Sequence, residues 1–149
     1  MDLIDAVENG DIQSVRELLD RGADPNSRDD YDNTTLILAL INRNGNIEII
    51  RLLLDRGADP NLQNDRGYTV LMNASMFGYT EIVRLLLDRG ADPYIRNCHN
   101  NTASMIAERH GYNDVATLIR DHIRLQKARQ RLAFATYLLG DNTRMDDLD

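Results

Sequence analysis

The sequence has little cysteine and no long apolar run, and each shortage excludes a class of protein. One cysteine among 149 residues excludes an internal disulfide framework, as is usual for a reducing compartment. No apolar run approaches the ~20 residues that span a bilayer, and the acidic N-terminal segment is unlike a secretory signal. A net charge of −7 opposes binding to the phosphate backbone of nucleic acids. We therefore expect a cytoplasmic domain that binds neither membranes nor nucleic acid.

Proline is also scarce, and its three copies mark an internal repeat. Each proline closes the tetrapeptide Gly-Ala-Asp-Pro, at positions 22–25, 57–60 and 90–93, so that the copies recur at a nearly constant interval. A second glycine series has nearly the same step and consists of Gly10, Gly45, Gly78 and Gly111. A fixed period of about 33 residues is typical of a solenoid of stacked units.

Each repeat can be interpreted as helix, tight turn, helix and loop. Residues 70–76 form a short helix-compatible run, and 81–89 place apolar residues at mixed i+3 and i+4 spacing, so that the second helix buries a wide face. Gly90 suits the left-handed residue that ends a helix. Asp92 precedes a proline, which forces extended backbone into a polar, hairpin-like loop. The sequence therefore predicts an all-α solenoid of helix-turn-helix-hairpin units.

With this period, the Gly-Ala-Asp-Pro segments and a threonine at the start of each first helix, the chain resembles ankyrin-repeat proteins. We divide it into units at about 1–28, 29–63, 64–96 and 97–123, and we interpret the first unit as a cap. The threonines predicted to cap first helices are Thr34, Thr69 and Thr102. The family's histidine three residues later is replaced by Ile37, Met72 and Met105, which predicts hydrophobic packing between units. Gly67 is expected at positive φ, with Asp32 and Asn100 in its place in the neighbouring units.

The C-terminal part has no proline, and we predict a helical extension over 124–140 that ends at Gly140, followed by an acidic, mobile tail over 141–149. One interpretation is a capping helix with a solvated basic face. Another is a second docking surface for a partner protein, with Phe134, Tyr137, Leu138 and Leu139 as apolar anchors. Adsorption to a membrane surface is a third interpretation, which the acidic tail disfavours.

Residues 131–135 and 146–149 weakly resemble ankyrin proteins of large DNA viruses and intracellular bacteria, whose F-box-like segments recruit ubiquitin ligases. This resemblance implies a host-interaction protein, with the cytosol of the host cell or the nucleus as alternative locations, although no complete F-box follows here. Lys127 is the only lysine among 17 basic residues, and few acceptor amines would suit a protein held beside a ubiquitin ligase. Genome base composition explains the same bias more simply.

Enzyme signatures are absent from the sequence. The histidines are His99, His110 and His122, and Cys98 next to His99 lacks the spacing of a zinc site or an oriented nucleophile pair. No phosphate-binding glycine pattern occurs. Carboxylates recur at the repeat positions Asp20, Asp55 and Asp88, which favours a structural role. We therefore expect no catalytic site, metal or cofactor.

The ankyrin resemblance implies that hairpin tips and first helices line a concave groove for a partner protein. Carried over by position, the groove residues are Tyr31, Asn33, Arg43, Asp65, Arg66, Tyr68, Met76, Phe77, His99, Arg109 and His110. Met76 and Phe77 are predicted to face solvent, whereas Tyr79 and Tyr112 are predicted to be structural. Two functions stay open: an adaptor that also binds a ubiquitin-ligase component through the C-terminal helix, or a stand-alone inhibitor that covers the surface of an enzyme such as a kinase. We expect a monomer in either case.

Overall fold

The computed structural model describes residues 1–42 and 45–143, with side chains described through residue 140. In these ranges the chain forms eight α-helices and no strand beyond one isolated antiparallel bridge between Arg28 and Thr34. The helices are α1 (Leu3–Glu8), α2 (Ile12–Asp20), α3 (Thr35–Ile41), α4 (Ile47–Asp55), α5 (Val70–Phe77), α6 (Thr80–Asp88), α7 (Ala103–Arg109) and α8 (Asn113–Thr143). The all-α prediction is confirmed. The chain divides into two compact parts, Met1–Ile119 and Arg120–Asp149.

The first part is a stack of helix pairs. The pairs are α1 with α2, α3 with α4 and α5 with α6, and the first helices pack in the order α1, α3, α5 and α7. Wide apolar faces cause this stacking, since α4 buries four leucine or isoleucine side chains and α6 buries five leucine, isoleucine or valine side chains. Leu53 and Leu86 are fully buried, and Leu52 and Leu85 are at most 8% exposed. The core therefore lies between successive helix pairs.

The turns that follow the second helices and close the hairpins need left-handed backbone. Gly90 has a φ of +88°, as expected for the residue after a helix end. At the hairpin position, Gly67 has a φ of +78°, and Asp32 and Asn100 adopt +59° and +63°. The prediction that these three residues share one conformation is confirmed. Asp and Asn can take this place because their short polar side chains tolerate positive φ.

Between the two helices of a unit, glycine leaves room for a tyrosine of the next unit. A Cβ atom added to Gly45 would lie 3.1 Å from Cε2 of Tyr79. One added to Gly78 would lie 2.9 Å from Cγ of Tyr112 and closer still to other carbons of that ring. The two tyrosines thus pack against the backbone of the preceding unit.

Helix capping follows the prediction in two of three units. Thr34 Oγ1 accepts from the backbone N–H of Ile37 at 3.2 Å, and Thr69 Oγ1 accepts from that of Met72 at 3.3 Å. The prediction is wrong for Thr102, whose side chain makes no capping bond. Its hydroxyl lies 3.3 Å from the hydroxyl of Ser104, a residue that replaces leucine at this repeat position.

Two further predictions fail at the end of the stack. Ile37 and Met72 are buried as expected, but Met105 is 41% exposed because α7 is the last member of the first-helix series among the described residues. The extension helix does not end at Gly140, since α8 continues to Thr143. A single glycine weakens a helix by only about 1 kcal/mol relative to alanine, and no proline follows it. The rest of the predicted acidic tail, 144–149, lies outside the described residues.

Candidate interaction surface

The three hairpin tips are held by the same side-chain hydrogen bonds. Asp29 Oδ1 accepts from the backbone N–H groups of Tyr31 at 2.9 Å and Asn33 at 2.8 Å. In the next unit Asn64 Oδ1 accepts from Arg66 and Tyr68 at 3.0 and 2.9 Å. Asn97 Oδ1 accepts from His99 and Asn101 in the same way, at 3.0 and 3.1 Å. These short-range bonds give each tip one defined shape, as in an Asx-turn.

Neighbouring hairpins are also bonded to each other. Arg28 Nη1 donates to the carbonyl of Gln63 at 2.7 Å, and one unit later Gln63 Nε2 donates to the carbonyl of Arg96 at 3.0 Å. The backbone N–H of Cys98 donates to the carbonyl of Arg66 at 3.0 Å. The tips therefore form one continuous, hydrogen-bonded row.

An open depression of about 250 Å³ lies between the first two tips and is lined by Tyr31, Asn33, Asn64, Asp65 and Arg66. Four of these five residues belong to the predicted groove. Tyr31 is 70% exposed, Asp65 and Arg66 are exposed, and the nearby Tyr68 is half-buried. We call the set Tyr31, Asn33, Asp65, Arg66 and Tyr68 the tip surface. It combines aromatic rings with both signs of charge on a hydrogen-bonded frame.

The other predicted groove residues are placed less uniformly. Phe77 is 40% exposed and its ring lies 5.7 Å from that of Tyr79, but Met76 is half-buried, so the prediction that both face solvent is wrong for Met76. The two are consecutive on a helix and so point about 100° apart. His99, Arg109 and His110 are exposed in the last unit. Arg43 lies outside the described residues.

The sequence did not predict one contributor to this region, Asn64, and one exposed aromatic residue outside the tip surface, Tyr94. Asn64 lines the depression, and its repeat equivalence to Asp29 was the available signal. Tyr94 is 55% exposed at the position where Asn26 and Asn61 each accept from a backbone N–H one unit ahead, at 2.7 Å. Tyr94 replaces this recurring asparagine and has no amide oxygen to accept such a hydrogen bond, and this replacement was the available signal in the sequence.

Asp20 and Asp55, two of the recurring carboxylates, have structural partners. Asp20 pairs with Arg56 and Asp55 with Arg89, each at 2.6 Å, so that the last residue of one second helix contacts the residue that follows the next. The structural interpretation of these two aspartates is confirmed, although partly exposed pairs of this kind stabilise by about 1 kcal/mol or less. Asp11 caps α2, and the hydrogen bond from the Ser14 hydroxyl holds the pKa of its carboxyl below the usual range.

The described ranges contain no group of three or more histidine, cysteine or acidic side chains arranged to hold a metal ion. Cys98 is a free, exposed cysteine. Among the helices described, none has both the length and the apolar character needed to cross a membrane.

The second compact part of the chain presents apolar side chains along α8. Phe134, Tyr137 and Leu138 are 63%, 66% and 49% exposed. Their i, i+3 and i+4 spacing places them on one face of the helix. The structure therefore leaves the predicted second docking surface open to solvent.

Helix pairs joined by hydrogen-bonded hairpins at a fixed period define a repeat solenoid. The family model for ankyrin repeats (3 copies) matches residues 3–97 and 40–131. The chain therefore belongs to the ankyrin-repeat family. Ankyrin repeats are generally modules for protein–protein interaction, and the family is typically non-enzymatic. No curated protein matches the chain.

Proposed function

We propose that this chain is a non-enzymatic recognition module that holds a partner protein on the tip surface and on Phe77. The observation that carries the proposal is the 70% exposure of the Tyr31 ring on a tip whose backbone is fixed by Asp29. Exposed tyrosine is among the residue types that supply most of the energy of protein interfaces. Because the tip is already ordered, little conformational entropy is lost when a partner binds.

The polar side chains of the tip surface support recognition of shape and hydrogen bonding. Asn33 and Asn64, which line the depression, are bonded to each other and to their own tips, so that their side chains are fixed in place. The exposed carboxylate of Asp65 and guanidinium of Arg66 stand beside it. Charges at the rim of an interface act mainly on specificity and association rate.

Affinity capture with the double variant Tyr31→Ala/Phe77→Ala tests the binding surface. Both side chains are exposed, so we expect thermal unfolding to change little, whereas binding should weaken by about 30-fold or more, the loss typical of an interface hot spot. Tyr94→Ala is the matched control, because it removes another exposed tyrosine from the turn after α6. Equal capture by wild type and the double variant would contradict the proposed surface.

We further propose that the module is an adaptor whose second docking surface, Phe134, Tyr137 and Leu138, binds a component of a ubiquitin ligase. The exposure of these three residues on one helical face favours this function over a stand-alone inhibitor of an enzyme or kinase. The triple alanine variant should lose the second partner and keep the first. An inhibitor would retain full potency in that variant. Such a module would act as a monomer in the cytoplasm or nucleus, which suits the free thiol of Cys98.

A further inference from the structure

Two asparagines at the same repeat position have different hydrogen-bonding environments. Asn64 and Asn97 occupy equivalent places in successive units, and the oxygen of each side chain accepts from two backbone N–H groups of its own tip. Because the oxygen is committed to these donors, the amide cannot rotate to exchange its oxygen and nitrogen. The nitrogen, Nδ2, is thus directed the same way in both units.

The partner of this nitrogen exists in one unit only. Asn64 Nδ2 donates to Asn33 Oδ1 of the preceding unit at 3.0 Å. The residue equivalent to Asn33 one unit later is Tyr68, which offers no amide oxygen. Asn97 Nδ2 is buried and has no hydrogen-bond partner within the described part of the chain. A buried donor without an acceptor destabilises a fold, and such groups are rare in native proteins.

The close approach of the two tips buries this nitrogen. A Cβ atom on Gly67 would lie 3.0 Å from Cα of Asn97, and the tips share the backbone bond from Cys98 to Arg66. Asn97 is consequently only 7% exposed, whereas Asn64 is half-buried. The asparagine whose donor lacks an acceptor is therefore the more deeply buried of the two, where the missing hydrogen bond destabilises the fold most.

We infer that Tyr68 is a specificity-determining residue, held at the tip surface for its contact with the partner at a position where asparagine would be more stable. This inference rests on the proposed function, since it names one residue of that surface as the one selected for binding. Proteins break the local rules of stability mainly at functional sites. Tyr68 breaks such a rule, because it supplies no amide oxygen and Asn97 Nδ2 is left without an acceptor. Its half-buried aromatic ring is of a type that contributes strongly to protein interfaces.

A matched pair of variants tests the structural half of the inference. Tyr68→Asn and Tyr68→Leu introduce side chains with the same branched skeleton of heavy atoms, but only asparagine supplies an oxygen for Asn97 Nδ2. We expect the asparagine variant to unfold about 3 °C or more above the leucine variant in thermal denaturation followed by circular dichroism. Equal unfolding temperatures would overturn the inference, since the amide would then need no acceptor.

Peptides selected on the wild-type protein from a phage-displayed random library test the binding half. We expect them to bind Tyr68→Asn about tenfold or more weakly than wild type. The control is Asn97→Asp, which keeps the oxygen bonded to His99 and Asn101, as Asp29 does for the first tip, and leaves Tyr68 in place. It should bind the peptides as wild type does.

The outcomes separate the inference from the proposed function. Peptides that are lost on Tyr31→Ala but bind Tyr68→Asn as tightly as wild type support the tip surface and overturn the role of Tyr68. Peptides that respond to none of the tip variants, or a library that yields no binder, contradict the proposed function and the inference together. Equal weakening by Tyr68→Asn and Asn97→Asp would also overturn the inference, because binding would then depend on the amide instead of the ring.

Discussion

Substitution of Gly78 by alanine tests how neighbouring units fit together. Gly78 has a φ of +70°, and a side chain there would overlap the ring of Tyr112. Gly111 holds the same place in the last unit, with a φ of +83°, but a Cβ atom added to it meets nothing within 4 Å. Gly111→Ala is therefore the matched control, since it carries the backbone strain without the overlap.

The expected losses of stability follow from the backbone strain and from the overlap with the Tyr112 ring. Alanine in left-handed backbone costs roughly 1–2 kcal/mol, which is the whole effect expected for Gly111→Ala. Displacing a packed ring adds about 1–3 kcal/mol at Gly78, so Gly78→Ala should lose about 2–5 kcal/mol in total. In a Tyr112→Ala background the overlapping ring is gone. Adding Gly78→Ala to that variant should therefore lower the free energy of unfolding only by the cost of the left-handed backbone, as Gly111→Ala does in the wild type.

Equilibrium unfolding in urea, followed by circular dichroism, measures these differences in the free energy of unfolding. The slope of free energy against urea should be similar in all variants, which would show that the same surface is exposed on unfolding. If Gly78→Ala and Gly111→Ala lose the same stability within about 0.5 kcal/mol, the proposed contact between Gly78 and Tyr112 does not contribute.

Two further predictions concern helix caps. Thr69→Ala should lower the free energy of unfolding by about 1 kcal/mol because it removes the acceptor for the Met72 N–H, whereas Thr102→Ala, which removes no capping bond, should cost less in the same urea titration. Asp11 should titrate below its ordinary pKa in an NMR titration, and Ser14→Ala should raise that pKa toward the ordinary value. Since the pKa is lower in the folded state, this carboxylate stabilises the fold above its unfolded-state pKa, and the contribution is lost as the pH falls through the folded-state pKa. An Asp11 pKa that does not move in Ser14→Ala would contradict the assigned cause.

Repetition made much of the backbone predictable from the sequence. Asp32 and Asn100 were assigned positive φ because they share a repeat position with Gly67, and one unit served as a template for another. The four predicted residues that line the depression were named because the resemblance to ankyrin repeats implies a groove along the hairpin tips. Side-chain exposure was less predictable, as Met76 and Phe77 illustrate, because a small rotation of the helix decides which of two consecutive residues is buried.

The missing acceptor at Asn97 could not be predicted from the sequence alone. It depends on the distance between two tips and on the burial of one nitrogen atom, and both are properties of packed units. Likewise, the diversion of the Thr102 hydroxyl toward Ser104 is a competition between two local hydrogen bonds, which a capping pattern does not reveal.

The bonds from Arg28 to Gln63 and from Gln63 to Arg96 have a consequence for how such a protein can change its length. Each side-chain donor bonds to the backbone carbonyl of the equivalent residue in the following unit. An inserted copy of a whole unit could therefore donate to the unit after it and accept from the unit before it. Insertion of part of a unit between these residues would misalign the row. Duplication in whole repeat units is therefore the route by which the row of hairpin tips can grow, with new side chains at each tip and an unchanged hydrogen-bonded frame beneath them.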